Sequence, residues 1–249
     1  MKKRILSLLL ALTCVLSLSA PAFAFTDSEE ITYGPAIGAL ITLGVARGKD
    51  DGSFDPKGPV TRAEAARLMT LMAFGGQKPV IGVKPTPSFS DIQGHWAEAE
   101  IEYCASSGII LGRGDGIFSP DDSVTGTEFA KMCLGLLGYE ADVFGLTGPD
   151  WAISTNALSN YTSVRLYNGL MEEMDPNGAL DREQAAQMLF NALKATPMVK
   201  KPAPQSDGTV TFTFEKADPR EDGSPMTLVE MQFGIPPEEC LPDYPQPVK

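Results

Sequence analysis

Three short words hold the residues best placed for chemistry: Thr61-Arg62-Ala63-Glu64, Thr125-Gly126-Thr127-Glu128 and Asp181-Arg182-Glu183-Gln184. Each reads as a helix start. A threonine or aspartate at the cap accepts from the amide three residues on, and the Glu or Gln there reaches back to the cap. Capping leaves Arg62 and Arg182 unexplained, because a positive charge at the first helical position opposes the helix dipole and costs about a few tenths of a kcal/mol. A guanidinium beside the free amides of a helix start suits a carboxylate or phosphate. The competing reading of Arg62 is a surface ion pair with a nearby acid such as Asp55. Gly126 leaves the middle word without its cation, and Arg113 or Lys131 are the available substitutes.

Other chemistries find little material. His95 is the single histidine, so neither a histidine-based zinc site nor a Ser-His-Asp triad can be assembled. Past residue 24 the cysteines are Cys104, Cys133 and Cys240, an odd set at wide spacing that makes no disulfide framework. Cys104 and Cys133 fall on apolar helix faces and read as buried thiols, with a bridge open to them if their helices pack there. The stretch 173–184 sets Glu173, Asp175, Asn177, Gly178 and Gln184 in calcium-loop register. Its last position needs a bidentate carboxylate, Gln184 is neutral, and Pro176 is out of place in such a loop. No metal, cofactor or catalytic residue is expected. Carboxylates abound, but no segment beyond the repeats and tail remains to form a glycoside-cleaving domain.

The elements that position these words repeat. A shift of 64 residues lays 43–64 over 107–128 without a gap, and Gly44, Gly48, Asp51, Gly52, Phe54, Pro56, Val60, Thr61 and Glu64 all meet identical residues. Residues 25–37 fall over 89–101 in the same shift. A third, worn copy begins its first helix at Trp151; its loop from Gly169 to Asp181 is five residues shorter than Gly44 to Thr61 and lacks the Phe-x-Pro element. Each copy reads as helix, loop, helix. The second helices carry one apolar stripe each: Ala65, Leu68, Met69, Met72; Phe129, Met132, Cys133, Leu136; Ala185, Met188, Leu189, Ala192. A single stripe cannot bury itself, so three helix pairs sharing one centre predict an all-α domain over about 25–195. The copies span 25–74, 89–139 and 140–195, with a Pro/Gly-rich linker at 75–88.

Residues 1–24 read as a signal peptide: a basic start, an apolar run and Ala22-Phe23-Ala24 before cleavage. That implies export without membrane insertion once the leader is removed. The chain past residue 24 holds 17 basic and 32 acidic residues, a balance that argues against nucleic acid or anionic lipid as a general partner. Ten of the twenty prolines lie in the tail 196–249, which forbids a long helix there. The tail is expected to be mostly irregular and extended, with 209–216 alternating like one strand of a small hairpin.

The Thr-Arg-Ala-Glu word, the preceding Gly-Asp-Gly and Phe-x-Pro elements, and Phe-Ser-Asp followed by His-Trp-Ala together resemble the S-layer homology module of bacterial surface proteins. The resemblance covers 25 to about 193, in three copies. It implies a pseudo-threefold helical spindle whose inter-repeat grooves hold secondary cell-wall polysaccharide bearing pyruvate ketals, with the arginine on the ketal carboxylate. Carried over residue by residue, the glycan-binding set is Arg62 and Arg182, Asp27 and Asp91, Trp96 and Trp151, and Gly48 and Gly112. Arg62 matches the motif fully; Arg182 lies in a departing word. Asp27 and Asp91 compete with a helix-capping role, the tryptophans with a core role, and the glycines with close chain approach. Thr32 replaces the tryptophan in the first copy. The resemblance implies a secreted, non-catalytic protein of the cell wall or cell surface. The alternative is a structural module with decayed glycan sites that binds other surface proteins through its tail.

Overall fold

The computed structural model describes residues 25–82, 84–170, 174–242 and 244. The leader reading lies outside them, as does Glu173 of the calcium-loop reading. The chain forms six helices in three pairs, α1 (Gly34–Thr42) and α2 (Arg62–Ala73), α3 (Glu98–Ser106) and α4 (Gly126–Leu136), α5 (Trp151–Ser159) and α6 (Arg182–Lys194). A hairpin comes next, β1 (Met198–Pro204) and β2 (Val210–Lys216), then the short helices α7 (Leu228–Phe233) and α8 (Pro237–Cys240). Among the described residues no helix is long and apolar enough to cross a membrane.

The second helix of each pair begins as its sequence dictates. Thr61, Thr125 and Asp181 cap reciprocally with Glu64, Glu128 and Gln184, closing three capping boxes. The stripes they carry are buried, Leu68 alone remaining partly exposed. First helices end on glycine: Gly44 and Gly108 take φ of 75° and 71°, left-handed values that an L side chain resists.

The pairs are not self-contained. The first helix of one copy packs on the second helix of the copy before it: α3 on α2, α5 on α4, and α1 back on α6. At the centre, three backbone bonds close a ring. Val60 N donates to Leu180 O (2.9 Å), Leu180 N to Val124 O (2.9 Å), and Val124 N to Val60 O (2.9 Å). These residues stand just before the three helix starts, so the ring fixes how α2, α4 and α6 radiate. The third copy is the poorest in apolar content, with Thr155 and Ser159 the buried positions of α5.

Two expectations need correction. The linker 75–88 is tied down, since buried Glu102 accepts from the Ser88 hydroxyl (2.8 Å) and pairs with Lys84 (2.7 Å). The tail is far less irregular than its prolines suggest. Beyond the hairpin, Leu228 N donates to Ala195 O (2.9 Å), Leu228, Val229 and Leu241 are buried, and Arg220 holds Glu230 (2.7 Å) and Glu238 (3.4 Å). Cys104 and Cys133 are separate buried thiols; Cys104 lies against Thr70 of α2, and burial pushes its thiol up to about 12.

Candidate functional site

The helix starts do not offer free amides. Arg62 N and Ala63 N donate to Asp122 O and Pro120 O (both 2.9 Å), Arg182 N and Glu183 N to Gly58 O and Pro56 O (both 3.0 Å). The third amide of each goes to the capping side chain. An anion held by backbone N–H groups is therefore excluded at both, and what remains available is the guanidinium.

Each arginine clasps the loop of the next copy around the ring. Arg62 Nε donates to Phe118 O (2.8 Å) and Nη2 to Leu111 O (3.2 Å), its guanidinium carbon 4.5 Å from the Phe118 ring centre. Arg182 repeats this against the first copy, with Nε to Phe54 O (2.9 Å), Nη2 to Arg47 O (3.2 Å) and 4.9 Å to the Phe54 ring. Carbonyls and a ring face thus offset the dipole penalty. Asp55 is no partner of Arg62; it pairs with Lys49.

Asp27 and Asp91 brace those loops. Asp27 accepts from Phe54 N (2.9 Å) and Asp55 N (2.7 Å), Asp91 from Phe118 N (2.9 Å) and Ser119 N (2.7 Å). Neither the capping role nor contact with a sugar describes this; each carboxylate holds the peptide whose carbonyl receives the arginine. The Phe54 and Asp55 amides keep Asp27 below the usual carboxylate range. At Asp91 burial works to raise the pKa, and the two loop amides outweigh it. Gly48 and Gly112 allow close chain approach: a Cβ there would lie 2.5 Å from the Phe25 and Phe89 rings, and 2.9 and 2.7 Å from the carbonyls of Ser53 and Ile117.

The two arginines differ in what is left over. Arg62 is 3% exposed and its Nη1 faces Glu128 at 3.3 Å, a carboxylate it shares with Arg113 (3.2 Å). Arg182 is half-buried, has no carboxylate partner among the described residues, and keeps Nη1 unspent. The motif-matching arginine is the enclosed one, and the divergent one is open.

Arg182 borders a cleft of about 620 Å³, walled by the 45–50 loop, α2 and Trp96. Arg47, Arg67 and Lys78 also line it, and none has a carboxylate partner among the described residues. Of the two acids present, Glu64 is occupied in its capping box. A basic cleft thus interrupts a chain of formal charge −12. Trp96 is 54% exposed, with Arg67 5.9 Å from its ring centre, which removes the core reading for this tryptophan.

The same parts recur beside Arg62. Lys131 stands on α4 where Arg67 stands on α2, and its ammonium lies 4.8 Å from the ring of half-buried Trp151. Burial, then the charge of Arg62, lowers the Lys131 pKa. Arg113 and Lys131 therefore belong to the Arg62 groove and do not substitute for Gly126. The third groove has lost every part together. Gly126 replaces the arginine, Gln187 the helix cation and Thr32 the tryptophan, with Thr32 N bonded to Glu183 of α6 (2.7 Å). The shortened loop fills the space: a Cβ on Gly126 would meet Pro176 Cα at 3.2 Å and Met174 Cε at 3.3 Å.

The 173–184 stretch is built as a turn and a helix cap, with Asp175 accepting from Asn177 N (2.9 Å) and Gln184 from Asp181 N (3.2 Å). Among the described residues no three His, Cys, Asp or Glu side chains converge as metal ligands. Arg67 and Lys78 were missed in the sequence. For Arg67 a signal existed: it superposes on Lys131 in the 64-residue shift.

Residues 24–66 and 88–130 match the S-layer homology domain family. The chain is 31% identical over 150 residues to an uncharacterized cell wall amidase of Bacillus anthracis, an alignment covering 57% of this chain and 27% of that protein. It is 38% identical over 92 residues to cell surface glycoprotein 1 of Acetivibrio thermocellus (36% and 4% covered). It is 35% identical over 87 residues to a cellulosome-anchoring protein of the same organism (34% and 19%). The chain thus spans 27% or less of these relatives' own lengths.

Proposed function

Since this chain carries two S-layer homology domains, at 24–66 and 88–130, we propose that it is a non-catalytic cell-wall anchor that grips an anionic wall polysaccharide in the Arg182 cleft. The carrying observation is the open Nη1 of Arg182, beside an exposed tryptophan and three further cations that lack a carboxylate partner among the described residues. A sugar acid such as a pyruvate ketal fits that inventory: the carboxylate meets Arg182 and the ring lies on Trp96. The Arg62 groove is a weaker second site, because Glu128 and Arg113 already occupy its guanidinium. The local positive charge also removes an obstacle to encounter, since over a Debye length of ~8 Å the ligand senses the cleft more than the acidic chain as a whole.

The test is a titration of purified wall polysaccharide, with and without its ketals, into the protein. Tight binding of the ketal-bearing polymer alone supports the reading; equal binding of both overturns the carboxylate role. The closed third groove favours a second reading, a scaffold module retaining fold and not ligand. That reading requires that neither polymer binds.

A further inference from the structure

The geometry points to the C-terminal hairpin as a dimerisation edge, β2 pairing antiparallel with β2 of a second copy. The register pairs Met198 with Lys216 and Pro204 with Val210. At its two ends Ala217 N donates to Pro197 O and Gln205 N to Thr209 O, both at 2.8 Å. The hydrogen-bonded pairs are therefore odd-numbered, and even-numbered backbone groups face away from the partner strand.

The two outer edges are treated differently. On β1, Met198 N donates to Leu137 O of the bundle (2.7 Å), and Pro202 and Pro204 place rings where outward amides would stand. That edge is closed. On β2 the outward groups belong to Val210, Phe212, Phe214 and Lys216, with no proline among them. Among the described residues no backbone bond from outside the hairpin reaches them. The strand lies on the side away from Leu137, rich in β-branched and aromatic residues, with Val210 55% and Phe212 53% exposed. An unprotected edge of this composition is a template for another strand, and a lone two-stranded sheet is only marginally stable.

The occupant that fits is β2 itself. Antiparallel pairing about Thr213 sets Phe212 opposite Phe214 of the second copy, and Val210 opposite Lys216. These are even-numbered pairs, the ones whose backbone groups are unspent, so each exchanges two bonds. Glu215 falls opposite Thr211, and no like charges meet. All four residues share the face on which Phe214 contacts Phe144 at 5.7 Å, so the exposed apolar strip of one copy runs on into that of the other.

Sedimentation equilibrium of the purified protein and of Phe212→Pro decides the matter. The substitution removes an outward amide and an exposed ring without breaking a bond to β1. A reversible dimer for the unsubstituted chain and a monomer with unchanged circular dichroism for F212P are expected. In the paired register Thr213 faces itself at a Cα separation of ~4.5 Å, within disulfide reach. Thr213→Cys should therefore cross-link under mild oxidation well above the background set by Cys240, and Thr211→Cys should not. A chain that stays monomeric at high concentration, a dimer that survives F212P, or T211C cross-linking as fast as T213C overturns the proposal.

Discussion

Replacing each of the two arginines by alanine should separate stability from binding. Arg62 is 3% exposed, and its removal strands the carbonyls of Phe118 and Leu111 and leaves Glu128 to Arg113 alone. Unpaired buried acceptors cost ~1–3 kcal/mol each, so Arg62→Ala should lose about 3 kcal/mol. At ~2–4 °C per kcal/mol for a domain of this size, its Tm should fall by about 6–12 °C. Arg182 makes the equivalent two bonds from a half-buried position where water can replace it, so Arg182→Ala should cost about 1 kcal/mol or less. Its loss appears in binding instead. A charge-assisted bond to a carboxylate is worth ~1.5–3 kcal/mol, which is roughly 10- to 150-fold in Kd. Differential scanning calorimetry and titration of ketal-bearing wall polysaccharide read the two quantities on the same samples. An Arg182→Ala protein that binds within twofold of the parent refutes the assignment of the cleft. An Arg62→Ala protein that melts normally yet no longer binds refutes the division of labour.

Trp96→Ala should weaken polysaccharide binding by about tenfold, the size of a typical exposed aromatic anchor, with Tm unchanged, as measured by the same titration. Gly126→Arg should not restore a third site; the side chain meets Pro176 and Met174, so thermal melting should show a loss of about 1–3 kcal/mol with no added binding stoichiometry. Acid should loosen the fold. Asp27 and Asp91 have folded-state pKa values below their unfolded ones, so their contribution is complete above about pH 4 and disappears as pH falls through the depressed values. Asp91→Asn should be less stable at neutral pH and lose less on acidification, as read by urea titrations at several pH values.

Much of the local structure was legible. The capping boxes, the apolar stripes and the glycine stops all stand where the spacing places them, because each depends on neighbours a few residues away. The grooves were not legible, because each is assembled from different copies: Arg182 from the third, Phe54 and Arg67 from the first and Trp96 from the second. Aligning copies with each other compares residues that never share a groove. Along the chain Thr32 falls in the first copy's site, whereas in the fold it completes the loss at Gly126. Motif fidelity ranks Arg62 over Arg182, but availability depends on Glu128 and Arg113, which only folding brings alongside. The order in the tail was hidden by its prolines. Two of them sit at outward positions of β1, where no ladder bond is lost.

The ring of Val60, Leu180 and Val124 has a bearing on how the molecule is made. It is a circuit with no slack: none of its three links can be left out without leaving the other two copies an unclosed gap. The opening helix α1 has its seat on α6, some 150 positions downstream, so it must wait, apolar side uncovered, until nearly the whole repeat region has been synthesised. Such long-range closure slows folding. A chain of this design stays pliant while it is still incomplete and stiffens only when its last repeat arrives, which is the order of events a polypeptide threaded through an export channel requires.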